Sequence, residues 1–130
     1  MRPPELATAI PGSGAVHEWF GRWPSFHDAE IVSLRLARSG PSTIQVYPYF
    51  PERPATIEFV FDEITDLKLE DFSQQNVIGG LSVGPALMPD GQDGFRLRIF
   101  SLFGIGGHID ARRIRMNLIP GASTDGFSQW

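Results

Sequence analysis

The 130-residue chain contains no cysteine, which excludes disulfide bonds, thiolate catalysis and cysteine-ligated zinc sites. It has no apolar run near the roughly 20 residues that a membrane-spanning helix needs, and no signal-like apolar stretch follows Met1. It also lacks the spaced histidine pairs and the glycine-lysine loops that mark common metal and phosphate sites. We therefore expect a cytoplasmic protein without a membrane partner, a metal or a cofactor.

The composition that is present favours one folded domain made mainly of strands. Hydrophobic residues make up 42% and charged residues 20%, as in ordinary globular proteins. Fourteen glycines and eleven prolines favour strands and turns over a helical bundle. We predict an α+β fold, a mainly antiparallel sheet of about six strands with one short N-terminal helix. The single domain would comprise a loosely attached arm (1–14), a sheet domain (15–120) and a tail (121–130).

One segment, residues 15–20, has the pattern of a short helix. Val16, Trp19 and Phe20 are spaced to form one apolar face. Ser13 is a candidate N-cap, and Gly21 is a plausible C-terminal stop.

Strand candidates follow at short spacing, separated by turn residues. Pro48 cannot donate to a ladder, so the second strand should end there. The segment 62–72 fits either a strand or a helical turn, and the glycines in residues 104–107 predict a tight turn. The candidate strands are 31–38, 43–50, 55–62, 76–83, 95–103 and 108–118.

Charge is distributed unevenly along a chain whose net charge is -4. A mildly acidic protein of this kind is a poor nucleic-acid binder, because phosphates are repelled. The acid-rich middle can be one of two solvated faces of opposite sign, a surface for a cationic protein, or the paired carboxylates of a glycosidase. The acids are Glu58, Asp62, Glu63, Asp66, Glu70 and Asp71, and the later arginines are Arg96, Arg98, Arg112, Arg113 and Arg115.

The octapeptide 23–30 combines packing and ionisable groups at the start of the first strand. Ser25 and Asp28 match a capping box, which predicts one helical turn from Ser25. Trp23 and Phe26 would pack on the sheet, and Pro24 would fix the entering chain. This structural motif consists of Trp23, Pro24, Ser25, Phe26, His27 and Asp28.

The same octapeptide permits a functional interpretation. His27 can act as an acid, a base or a metal ligand near neutral pH, which gives the alternative of a metal-assisted hydrolase using His27 and Asp28. His17, His108 and Asp110 are further candidate ligands, although none has a metal-type spacing. A third alternative is a ligand-binding half-barrel with a deep apolar pocket.

The run WPSFHDAEI (23–31), preceded by Phe20 and Gly21, resembles the signature of the immunity protein 50 family of bacterial polymorphic-toxin systems. The order of later segments is similar too: 59–61, 64–67, 69–72, 75–78 and the glycine turn 103–107. The resemblance covers most of residues 15–120, and the proline-rich segment 48–54 departs from it.

The resemblance implies a non-catalytic cytoplasmic protein, a monomer or homodimer, that binds and neutralises a cognate toxin such as a nuclease. The acids from Glu58 to Asp71 would then attract a basic toxin surface. Exposed aromatics could anchor the complex, because aromatic residues dominate interface energies. The candidate anchors are Tyr47, Tyr49 and Trp130.

Overall fold

The computed structural model describes residues 10–121. These residues form one α-helix and six antiparallel strands, which confirms the predicted α+β class with a mainly antiparallel sheet. The strands form a closed barrel in the order β1-β2-β3-β6-β5-β4. The elements are α1 (Ser13–Phe20), β1 (Glu30–Arg35), β2 (Ser42–Tyr47), β3 (Ala55–Glu70), β4 (Val77–Leu87), β5 (Asp93–Phe103) and β6 (Gly106–Pro120).

Helix α1 begins earlier than its sequence pattern predicts. Gly12, with φ 90°, occupies the N-cap position, so the prediction that Ser13 caps the helix is wrong. The buried hydroxyl of Ser13 instead donates a hydrogen bond to the carbonyl of Ile10 at 2.7 Å. Gly21 ends the helix as predicted, with φ 75° and its N–H bonded to the carbonyl of Glu18.

The described part of the N-terminal arm is packed on the barrel. Ile10 is buried in the core, and the carbonyl of Pro11 accepts the N–H of Met116 on β6 at 2.8 Å. Residues 10–14 are therefore attached, contrary to the expectation of a loose arm. Residues 1–9 of that arm and 122–130 of the tail lie outside the described residues.

Strand β3 resolves the ambiguity of residues 62–72 in favour of a strand as far as Glu70. It runs for 16 residues and pairs with β6 from Ala55↔Pro120 to Glu70↔Gly106. A register shift between Ile64 and Asp66 follows Glu63, whose φ is 56°. Strand β6 already includes Gly106 and Gly107, so the turn after β5 is shorter than the glycine pattern predicts.

The barrel closes where the octapeptide meets residues 76–78, a contact that we call the closure seam. Strands β1 and β4 share the registered pair Glu30↔Val77. Around it the N–H of Asp28 donates to the carbonyl of Ile78, and the N–H of Ile78 donates to Ala29, both at 2.9 Å. The N–H of Ile31 donates to the carbonyl of Asn76, also at 2.9 Å. These bonds satisfy backbone groups that would otherwise form two sheet edges.

Apolar side chains fill the inside of the barrel. The alternation of β3, β5 and β6 directs every second residue inward, and these side chains form one continuous buried cluster with α1 and Phe26. The described residues therefore form a closed, filled barrel rather than a half-barrel around a deep apolar pocket. The fully buried members include Ile44, Ile57, Phe59, Leu97 and Ile109.

The entry to α1 gives a test of this packing. A Cβ atom at Gly12 would lie 1.9 Å from the carbonyl oxygen of Met116, whereas one at Gly40 would have nothing within 4 Å. Both glycines have similar positive φ, 90° and 84°. We expect Gly40→Ala to lower the free energy of unfolding by about 1 kcal/mol through φ alone. Gly12→Ala should cost roughly 2 kcal/mol more, because backbone must move. Equal losses in urea titrations would contradict the close packing of Gly12 on β6.

Candidate functional site

The acidic stretch and the arginine stretch lie side by side on neighbouring strands. Asp62 Oδ2 is 3.1 Å from Arg115 Nη1. Glu63 Oε2 is 3.1 Å from both Arg112 Nε and Arg113 Nη2. Because β3 pairs with β6, acids on one strand are neutralised by arginines on the next. The alternative of two separate solvated faces of opposite sign is wrong.

Arg112 links these ion pairs between β3 and β6 to the loop between β4 and β5. Its guanidinium donates to Asp90 Oδ2 and to Gln92 Oε1, each at 2.8 Å, besides its contact with Glu63. The backbone N–H of Gln92, followed by Arg112, lowers the pKa of Asp90. The hydrogen bond to Asp90 raises the pKa of Arg112 in turn. Arg112 is thus a structural clamp between three elements.

A second cluster brings Asp66, His108 and Asp110 together, with ligand-type atoms within 4.8 Å of one another. Asp66 Oδ2 lies 2.8 Å from His108 Nε2, and this hydrogen bond lowers the pKa of Asp66. Arg96 donates to both oxygens of Asp110, at 2.7 and 2.9 Å, which raises the pKa of Arg96. Since both Asp110 oxygens are bound by a guanidinium, the cluster is a hydrogen-bonded network built around the Arg96–Asp110 ion pair.

The remaining acids of the predicted patch are arranged differently. Glu58 accepts hydrogen bonds from the neutral amides of Gln45 and Asn117, at 2.9 and 3.0 Å. Glu70 and Asp71, at the exposed end of β3, have no ion-pair partner among residues 10–121. Among the acids of the patch, these three therefore have no arginine, lysine or histidine ion-pair partner within residues 10–121.

The octapeptide forms a turn instead of a helical turn, so the capping-box prediction is wrong. The N–H of Ala29 donates to the carbonyl of Phe26 at 3.0 Å, and Phe26 and Asp28 have φ values of 62° and 66°. The Ser25 hydroxyl accepts the N–H of His27 at 3.2 Å. Asp28 does not complete a capping box, because its N–H donates to the carbonyl of Ile78 in the closure seam.

The predicted packing of the octapeptide aromatics is confirmed. Phe26 is buried against Phe59, and Trp23 packs edge-on against Phe26 with ring centroids 5.6 Å apart. His27 Nδ1 lies 3.2 Å from Asp28 Oδ2, with side chains 63% and 70% exposed. In the described part of the chain no third ligand-type side chain joins this pair, and His17 lies exposed on α1.

An open groove of about 480 Å³ lies against the octapeptide, and we call it the aromatic groove. Two of its aromatic residues, Phe26 and Tyr49, have left-handed backbone conformations, which are strained for such side chains. The Tyr49 hydroxyl is 3.2 Å from Glu30 Oε1, and burial together with this carboxylate raises the pKa of Tyr49. The groove is lined by Phe20, Arg22, Trp23, Pro24, Ser25, Phe26, Pro48, Tyr49 and Phe50.

The groove escapes sequence reasoning because its two walls are far apart in the chain. The density of aromatic residues in 20–26 and 47–50 is the signal that could have indicated it. Of the predicted anchors, Tyr49 is 47% exposed and can meet a partner, whereas Tyr47 is only 8% exposed and cannot. Trp130 lies outside the described residues.

No protein-family model, curated protein or solved structure matches the chain. The resemblance to the immunity protein 50 family therefore stays a prediction. Within residues 10–121, no helix is long and apolar enough to cross a membrane.

The Asp66–His108 contact can be tested by titration. The pKa of Asp66 should lie below 3.8 because His108 hydrogen-bonds its charged form. Asp66 therefore stabilises the fold above about pH 4, and this contribution is lost as the pH falls through the lowered pKa. Carboxyl-carbon NMR should show the midpoint rising towards its ordinary value in His108→Ala. His27→Ala, which removes a similar contact from Asp28, should leave the titration midpoint of Asp66 unchanged. An unchanged Asp66 midpoint in His108→Ala would refute the assignment.

Proposed function

We propose that the chain is a non-catalytic cytoplasmic protein that binds and neutralises a cognate bacterial toxin, such as a nuclease. The resemblance in residues 15–120 supports the toxin as the partner. The aromatic groove is the observation that carries the binding role, because it presents apolar and aromatic side chains on an open surface.

The groove has the physical properties of a preformed docking surface. Pro24 and Pro48 restrict the backbone of its two walls, and Phe26 is fixed in the core. A rigid surface loses little conformational entropy when a partner binds. Tyr49 and the exposed Arg22 belong to the residue types that contribute most to protein interfaces.

The ionisable clusters support a structural role more than a catalytic one. Arg96, Arg112 and their carboxylate partners are joined to one another by short hydrogen bonds on the outside of the barrel. The hydrolase alternative centred on His27 and Asp28 has an exposed contact as its basis. A nucleophile or metal activated there would be open to bulk water rather than held in a shaped cleft.

The acidic patch remains our prediction for electrostatic attraction. A net charge of -4 and the uncompensated acids Glu58, Glu70 and Asp71 would speed the approach of a basic toxin. The paired acids Asp62 and Glu63 add less local field, because their arginine neighbours lie within hydrogen-bond distance.

Co-expression tests the proposal directly. The chain should restore growth of cells that express the toxin domain encoded beside its gene, and the two proteins should copurify. Tyr49→Ala should raise the dissociation constant about tenfold or more, since an aromatic anchor is lost from the groove. Leu36→Ala is the matched control, because Leu36 is 52% exposed against 47% for Tyr49 and lies outside the groove. Absence of both rescue and complex would overturn the proposal.

Association kinetics test the acidic patch separately. Glu70→Gln combined with Asp71→Asn should slow association with the toxin several-fold at low salt, because long-range attraction is weakened. Glu52→Gln combined with Asp93→Asn removes the same charge from exposed positions outside the patch. Surface plasmon resonance at two salt concentrations would compare the pairs. Equal on-rates for the two double variants would remove the patch from the mechanism.

A further inference from the structure

An exposed apolar patch lies on the outer face of β5 and shares no residue with the lining of the aromatic groove. It consists of Phe100 and Leu102, which are 49% and 56% exposed. Leu102 lies over Gly79 and Phe100 over Gly80, where added Cβ atoms would be 3.2 and 3.7 Å from those side chains. Because both glycines lack side chains, the patch is flat and open to a partner.

Two cations flank this patch on one side. Lys68 on β3 and Arg98 on β5 both stand opposite His108 of β6, so the three residues form a row across the sheet. Arg98 precedes Phe100 by two residues, which places it on the same outer face. Both cations are exposed, and neither has an ion-pair partner within residues 10–121.

Two acids flank the patch where β3 ends. Glu70 and Asp71 line a shallow cleft together with Lys68 and with Ser101, the residue between Phe100 and Leu102, so acids and a cation lie side by side next to the patch. They too have no ion-pair partner in the described range. By contrast, the charged residues of the adjoining row have partners: Arg96 pairs with Asp110 in that row, and Asp66 contacts His108 in the row of Lys68 and Arg98.

We propose that the chain forms a two-fold symmetric homodimer through this patch. Phe100 and Leu102 of one copy pack against those of the other. Lys68 and Arg98 of each copy then face Glu70 and Asp71 of its partner. In an isologous interface every contact occurs twice, so the surface must carry both signs of charge around an apolar centre.

The charge pattern favours a second copy over a basic toxin as the occupant. A basic partner would pair with Glu70 and Asp71 but would be repelled by Lys68 and Arg98. A second copy satisfies all of these charges at once and covers the aromatic side chain at the centre. The proposal concerns a different surface from the aromatic groove, but it shares Glu70 and Asp71 with the acidic patch, so these two acids are free to attract a toxin only in the monomer.

Sedimentation equilibrium of the purified full chain tests the proposal. We expect a mass that approaches twice the 14.4 kDa of one chain as concentration rises. Leu102→Glu should increase the dimer dissociation constant about tenfold or more, by burying a charge in the apolar centre. Leu36→Glu is the matched control, because Leu36 is 52% exposed against 56% for Leu102 and lies outside the patch. Circular dichroism melting checks that each variant is folded.

A charge exchange tests the orientation with variants that alter only exposed positions. Two variants should each weaken self-association by placing like charges opposite each other. One is the single variant Arg98→Glu, and the other is the double variant Glu70→Lys with Asp71→Asn. Asparagine is chosen at position 71 because Asp71 has φ 63°, which asparagine tolerates. An equimolar mixture of the two variants should recover the dimer, since opposite charges then meet at both contacts.

Three outcomes would overturn the proposal. The first is a monomer at every concentration, which would leave the patch to a different protein. The second is a dimer that Leu102→Glu does not weaken more than Leu36→Glu. The third is a mixture of the charge variants that associates no better than either variant alone.

Discussion

The closure seam is the constraint on which the rest of the structure depends. Strand β1 and strand β4 meet over a short distance, through backbone bonds at Asp28, Ala29 and Ile31 on one side and Asn76 and Ile78 on the other. If these bonds were absent, both strands would expose unpaired edges and the core would open on one side. The turn that precedes β1 presents these backbone groups. Two of its residues, Phe26 and Asp28, have positive φ although neither is glycine.

The seam is connected to the turn between β5 and β6 by one buried amide. Asn76 Oδ1 accepts the N–H of Ser73 and that of Ile105, both at 3.0 Å, and its Nδ2 donates to Ser73 at 2.8 Å. Closure of the barrel, the loop before β4 and the turn after β5 are thus one hydrogen-bonded unit. The aromatic groove adjoins this unit, since Phe26 lines the groove and its carbonyl accepts the N–H of Ala29 in the turn that leads into the seam.

The pairing of β3 with β6 determines the electrostatic character of the surface. It converts two stretches of opposite charge into cross-strand ion pairs, which leaves the protein acidic overall but locally balanced over most of that face. Exposed pairs of this kind contribute little stability individually. The pairs matter more for recognition. Within residues 10–121 they leave Glu70 and Asp71 without an ion-pair partner at the end of β3, beside the apolar patch.

The amino-acid sequence by itself determined the strand-rich α+β class, the short helix ending at Gly21, and the packing of Trp23 and Phe26. Apolar periodicity and glycine position are local properties, so they can be read without knowing the fold. Tertiary contacts with Met116 and Ile78 produced three other features. They are the cap at Gly12, the packing of residues 10–14 and the turn in place of a capping box. Alternation in a strand tells which side chains face inward, but not which strand lies beside it. Only the tertiary structure therefore decided the barrel's closure, the neutralisation of the acidic stretch and the formation of the groove.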